Sequence, residues 1–189
     1  MDDASLLEQI KLNDQNAFSE MVAKFQKLVI NTCYGFLHNM DDAQDIAQEV
    51  FIEVYRSIHK FRQESKISTW LYRISVNKSL NFIRDNKKNS WFQSLDLFFE
   101  KENSTKSNFL VFENPQEMME KEESSKAIYQ SIDELPQNQK VAFTLYKFED
   151  LSYKEIAEVM EISLSSVESL IFRAKKGLQN KLIKYYKKN

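Results

Sequence analysis

The sequence predicts an all-α protein of two small helical domains joined by a partly ordered linker. Three observations predict this. Two Gly and two Pro in 189 residues leave few natural turn positions, so helices must carry most of the chain. Apolar residues recur at intervals of three and four in one segment after another. The charge is also blocked: residues 1–60 carry −5, 61–90 +5, 91–135 −6, 136–162 −2 and 163–189 +6. Two basic blocks on an acidic background predict one cationic face in each domain. The boundaries read as 1–90, a linker over 91–114, and 115–189.

Residues 4–12 and 16–37 read as helices around the turn NDQN. Ala17, Met21, Phe25 and Leu28 form the core-facing stripe of the second. After a break at 39–42 comes DAQDIAQEVFIEVYRSIHKF, with Asp41 or Asp42 as the expected cap. Ile46, Val50, Phe51, Val54 and Ile58 make its buried face. Asp45, Gln48, Glu49, Ile52 and Glu53 remain outside, where acids serve solubility and the helix dipole.

The segment FRQESKISTWLYRISVNKSLNFIRDNKK, 61–88, starts as a polar loop. It becomes a helix near Ser68, with Ser68 or Thr69 as cap. On a wheel of about 100° per residue, Trp70, Arg73, Asn77, Asn81, Arg84 and Lys88 share a sector of about 80°. Leu71, Ile74 and Phe82 flank it on one side, and Val76, Leu80 and Ile83 on the other. Such a helix is held by its flanks and shows a ridge of cations and amides. Arg and Lys suit phosphates, Asn suits base edges, and Trp70 and Tyr72 suit stacking on unpaired bases.

The linker NSWFQSLDLFFEKENSTKSNFLVFEN has a polar, turn-like centre between two aromatic clusters, at 91–99 and 109–112. A further helix starts at Asn114-Pro115 and ends before Pro136. QNQKVAFTLYKFED is the next. LSYKEIAEVMEISLSSVESLIFRAKK then has the spacing of a helix-turn-helix, with Ala157 small at the crossing. Ile162, Val167 and Leu170 or Ile171 pack the second helix, and Ser163 caps it. Glu161 stands where such turns often place a left-handed Gly.

Composition excludes several classes of function. Two glycines cannot build a glycine-rich phosphate loop. The single Cys33 reads as a small buried apolar residue, and with no Cys or His cluster a metal site is not expected. His38 and His59 read as helix-end or surface residues. No catalytic constellation is present, so no enzyme and no cofactor are expected. MDDASLLEQI is not a signal peptide and no 18-residue apolar span exists, so a cytoplasmic protein without membrane insertion is expected. With a net charge of −2 the chain is also not a simple polycation binding DNA alone.

The wording of the motifs adds a resemblance. FRxxS…TWLYRIxxN resembles the promoter-melting and minus-ten-recognition segment of bacterial sigma factors, specifically the small extracytoplasmic-function group. DAQDIAQEVF resembles the segment by which those factors grip the clamp helices of RNA polymerase's largest subunit. LSYxEIAExMxIS…SVxSxxFRAxKxL, with IDELPxxQKxxFxLYxFEDLS before it, is similar to their minus-thirty-five-binding domain. The resemblance implies a region 2 helical bundle and a region 4 helix-turn-helix. It implies core RNA polymerase (clamp helices and flap) and promoter DNA as partners, and commonly an anti-sigma factor.

Carried onto this sequence, the polymerase contacts are Asp45, Gln48, Glu49 and Ile52, with Phe51 as core. The minus-ten contacts are Phe61, Ser65, Trp70, Arg73, Asn77, Asn81, Arg84 and Lys88. The minus-thirty-five contacts are Ser165, Ser166, Glu168, Ser169, Phe172, Arg173 and Lys176. Glu168 departs from the basic residue of many relatives; it either accepts from a cytosine amino group or pairs with Arg173 or Lys175. Lys181, Lys184, Lys187 and Lys188 supply diffuse phosphate attraction or a solvated tail. Two readings stay open beside this one: a polymerase-independent dimeric helix-turn-helix regulator, and a helical adaptor of a partner protein.

Overall fold

The computed structural model describes the backbone of residues 3–96 and 127–188, with the side chains of 3–86, 127–185 and 187. The side chains of both linker aromatic clusters and of Lys88, the polar stretch between the clusters and the Asn114-Pro115 helix start lie outside this description. Every regular element among the described residues is helical: α1 (Asp3–Lys11), α2 (Gln15–Leu37), α3 (Met40–Ser57), a 3₁₀ turn (Ile58–Lys60), α4 (Ile67–Asp96), α5 (127–133), α6 (Gln137–Phe148), α7 (Tyr153–Met160) and α8 (Leu164–Lys188). They form two compact units, one around α1–α4 and one around α5–α8.

In the first unit the helix limits follow from local chemistry. Asp14 caps α2, its Oδ1 accepting from the N–H groups of Asn16 (2.8 Å) and Ala17 (3.3 Å). His38 ends α2 in the left-handed region (φ 55°), its N–H donating to the Tyr34 carbonyl. That is the expected helix-end histidine. α3 is capped by Asn39, not Asp41 or Asp42: Asn39 Oδ1 accepts from the N–H groups of Asp41 (2.9 Å) and Asp42 (3.2 Å). The two aspartates instead fill the first turn, against the positive end of the helix dipole.

α4 also starts earlier than expected. Its first helical bond runs from Trp70 N–H to the Lys66 carbonyl, so neither Ser68 nor Thr69 is the cap. Ile67 and Thr69 are buried, which makes burial of the first turn the organiser. α4 continues beyond Lys88 to Asp96.

The first core joins Leu6, Leu7 and Ile10 of α1, Ala17, Met21, Phe25, Val29 and Cys33 of α2, Ile46, Val50, Phe51 and Val54 of α3, and Ile67 and Leu71 of α4. Each large apolar side chain there contributes about 1.5–3 kcal/mol. Leu28, Ile74 and Phe82 are partly buried against it, as their stripe positions predict. Cys33 is buried, as expected of a small apolar residue.

The second unit packs Ile132, Leu135, Ala174 and Leu178 together, with Tyr129 and Phe143 against them. Lys140 is buried, its Nζ 2.6 Å from an Asp133 carboxylate oxygen. Asp133 is half exposed, so this pair links α5 to α6 while keeping one partner hydrated. α7 starts on a capping box: Ser152 Oγ accepts from Glu155 N–H, and Glu155 Oε2 accepts from Ser152 N–H.

Candidate polymerase and nucleic-acid interfaces

The outer face of α3 is set by what its inner face buries. With Ala43, Ile46, Ala47, Val50, Phe51 and Val54 inward, 3.6-residue periodicity leaves Asp45, Gln48, Glu49 and Ile52 exposed. Ile52 is 51% exposed. Tyr55, one turn on, is also exposed and meets the Phe18 ring edge-on at 5.1 Å. Lys78 of α4 reaches across to Glu49 (3.6 Å) and Glu53 (3.9 Å). The face is therefore an apolar pair rimmed by acids, suited to a basic helical partner. Tyr55 was not among the sequence-named residues; its position three after Ile52 was the available signal.

The loop after the 3₁₀ turn and the start of α4 enclose a cleft of about 220 Å³ lined by Phe61, Arg62, Ser65, Trp70 and Arg73. Ser57, Lys60 and Glu64 complete its lining. Phe61 is buried and stacks on Trp70, ring centroids 4.6 Å apart at 20°. This stack takes one face of the indole and holds the ring at the cleft. Four sequence-named residues, Phe61, Ser65, Trp70 and Arg73, are thus brought to one place. Asn77, Asn81 and Arg84 continue along the exposed stripe of α4, with Arg84 Nε 3.1 Å from the Asp85 carboxylate. The Lys88 side chain lies outside the described residues.

Tyr72 corrects an expectation. It is buried and is no stacking platform for a base. Two residues after Trp70, it points about 200° around the helix, away from the polar stripe.

In the second unit, α7 ends in a left-handed turn. Ile162 N–H donates to the Ala157 carbonyl and Glu161 N–H to the Glu158 carbonyl, with Glu161 at φ 55°. These two bonds form a Schellman motif. Ser163 then caps α8, its Oγ accepting from Ser166 N–H at 3.2 Å and lying 2.8 Å from the Ser166 hydroxyl. Val167, Ile171, Ala174 and Leu178 turn inward. Of the two alternatives at 170 and 171, Ile171 is the fully buried one.

The opposite face of α8 shows all seven sequence-named residues: Ser165, Ser166, Glu168, Ser169, Phe172, Arg173 and Lys176 are exposed, Phe172 at 68%. Lys175 sits over the Tyr146 ring, 4.3 Å from its centroid. The arrangement offers hydroxyls, cations, one carboxylate and one apolar ring along a single helix face, which suits a DNA groove.

Among the described residues no group of three or more His, Cys, Asp or Glu gathers to hold a metal ion, and no helix is long and apolar enough to cross a membrane.

Comparisons with known proteins agree with this geometry. Residues 21–89 match the family described as Sigma-70 region 2, and residues 125–178 match Sigma-70, region 4. The RNA polymerase sigma-H factor of Pseudomonas aeruginosa is 35% identical over 185 residues, covering 95% of this chain and 93% of that protein. The ECF RNA polymerase sigma-E factor of Escherichia coli K12 is 34% identical over 181 residues, covering 95% and 94%. Among solved structures, CnrH in complex with the cytosolic domain of CnrY superposes with a TM-score of 0.67 at 20% identity, covering 95% of this chain and 96% of that one. The sigma factor RpoE of Bartonella quintana, in complex with the anti-sigma factor NepR, gives 0.59 at 18% identity, covering 87% and 96%. The two family matches fall on the two helical units, and full-length relatives exceed 30% identity, so this chain belongs to the extracytoplasmic-function group of the sigma-70 family of RNA polymerase sigma factors.

Proposed function

We propose that this chain binds core RNA polymerase through Asp45, Gln48, Glu49 and Ile52 on α3, and directs it to promoters through the α4 cleft and the α8 face. The observation that carries this reading is the Phe61–Trp70 stack, which holds the Trp70 indole beside Ser65 and Arg73 in one cleft. An unpaired base captured there gains about 1–3 kcal/mol of stacking, which offsets an unstacking cost of a few kcal/mol. Asn77, Asn81, Arg84 and Lys88 extend the contact along the strand. Ser165, Ser166, Glu168, Ser169, Phe172, Arg173 and Lys176 read the minus-thirty-five element.

The role is one of binding and duplex opening, with no covalent step of its own, and it is exercised in the cytoplasm where polymerase and DNA meet. The Bartonella quintana relative was solved with an anti-sigma factor. A partner of that kind, covering the α3 face and the α8 face together, would hold this chain inactive.

The α3 assignment is tested by co-elution with core polymerase. Asp45→Lys combined with Glu49→Lys is expected to weaken binding at least about tenfold, or about 1.4 kcal/mol. Unchanged co-elution would remove α3 from the interface.

A further inference from the structure

The first turns of α8 carry no cation. From Ile162 to Phe172 the chain reads ISLSSVESLIF, with neither Lys nor Arg and a single carboxylate, Glu168. The N-terminal residues of a recognition helix are the ones that meet base edges, and the commonest base-specific contact is a guanidinium or ammonium on guanine O6 and N7. No residue of these turns can make it. The groups left to read bases there by hydrogen bond are serine hydroxyls, which suit any base, and the Glu168 carboxylate.

Glu168 is the fifth residue of α8 and is exposed. At about 100° per residue, Ser165 and Phe172 lie about 60° and 40° around the helix from it, one turn before and one turn after. Val167 and Ile171 are buried on its other side, so Glu168 stands at the edge of the exposed face. The sequence leaves Arg173 and Lys175 as partners for this carboxylate within α8, and the structure supplies neither. Lys175 places its Nζ 4.3 Å from the centroid of the Tyr146 ring. Arg173 points about 140° around the helix from Glu168. Among the described residues, no hydrogen bond or ion pair holds the Glu168 carboxylate.

An ionised carboxylate only accepts hydrogen bonds. In the major groove guanine shows it N7 and O6, and thymine shows O4, all of them acceptors. Adenine offers its N6 amino group but sets the acceptor N7 beside it. Cytosine presents the N4 amino group with no acceptor of its own alongside. We infer that Glu168 makes cytosine the required base at one position of the minus-thirty-five element. The inference rests on the assignment of α8 to that element. Selection works by exclusion as much as by attraction, because at any other base a desolvated carboxylate faces acceptor atoms without a donor.

The test is selection from a promoter library randomised across the minus-thirty-five element, with the full-length chain bound to core RNA polymerase and the recovered promoters sequenced. One position is expected to favour cytosine about tenfold over guanine and thymine. Glu168→Ala should flatten that position alone, with selection at the minus-ten element unchanged. It should also raise binding to promoters lacking the cytosine several-fold, a gain that loss of a merely structural residue would not give. Glu168→Gln, which adds a donor able to meet adenine N7, should bring adenine up at the same position. A cytosine preference that survives Glu168→Ala, or an equal loosening at every position, would overturn the inference. Phe172→Ala combined with Arg173→Ala separates that result from failure of the underlying assignment. Altered minus-thirty-five preferences in this pair, with none in Glu168→Ala, would overturn the role of Glu168 alone. Unaltered preferences in both would overturn the assignment of α8 and the inference with it.

Discussion

Glu161 and Gly177 are a matched pair of misplacements. Glu161 holds φ 55° at the end of α7, where a Cβ is disfavoured by about 1 kcal/mol. Gly177 lies inside α8, where glycine costs about 0.5–1 kcal/mol relative to Ala. A Cβ on Gly177 would meet Leu135 Cδ2 at 3.5 Å, an ordinary contact. Glu161→Gly and Gly177→Ala are each expected to raise stability by about 0.5–1 kcal/mol in urea unfolding at unchanged slope. A loss for Gly177→Ala would mean that the α8–Leu135 approach is tighter than its geometry. Glu161 was legible in the sequence, because helix-turn-helix spacing fixes which residue must turn left-handed. The α3 cap was not. Asn39, Asp41 and Asp42 rank together as cap residues, and only the backbone entering α3 decides among them.

At the scale of the element, α4 divides its circumference between two tasks. Leu71, Tyr72, Ser75, Val76 and Ser79 are buried, while Asn77, Asn81 and Arg84 face solvent. If the exposed stripe contacts DNA as proposed, this separation lets stability and DNA contact be altered independently. Tyr72→Ala is expected to cost about 3–5 kcal/mol of unfolding free energy, as for a buried aromatic, whereas Trp70→Ala should cost less and act mainly on DNA. Equal stability losses for the two would contradict the division. The polar stripe was legible because its residues recur at helical spacing. Tyr72 follows its angle on the wheel and not the stacking preference of its residue type, so it is buried. The cleft was half legible: Phe61, Ser65, Trp70 and Arg73 stand in one set of minus-ten contacts through the resemblance, but the fold-back of the loop onto α4 that encloses them has no periodicity to read. The capping box at Ser152 and Glu155 was legible in principle from its S-x-x-E spacing, and it orients the helix that leads into the recognition turn.

At the scale of the whole molecule, the charge partition explains why polymerase is needed. Residues 61–90 carry +5 and residues 163–189 +6 in a chain of net −2. Neither block alone neutralises enough phosphates for tight binding at physiological salt. Held together on one polymerase, they act at high mutual concentration on one promoter. A self-sufficient dimeric regulator would leave the exposed Ile52 and Tyr55 face and the α4 cleft without a task. The all-helical, two-unit plan was legible from glycine scarcity, periodicity and charge blocks.

The most direct test of the central claim is permanganate footprinting of promoter DNA with core polymerase and this protein. Unmodified protein is expected to open a bubble of reactive thymines at the minus-ten element. Trp70→Ala should reduce that reactivity about tenfold or more while co-elution with polymerase is retained. A bubble of full reactivity with Trp70→Ala would contradict base capture at the Phe61–Trp70 cleft, and no bubble from the unmodified protein on any promoter would contradict duplex opening by this chain.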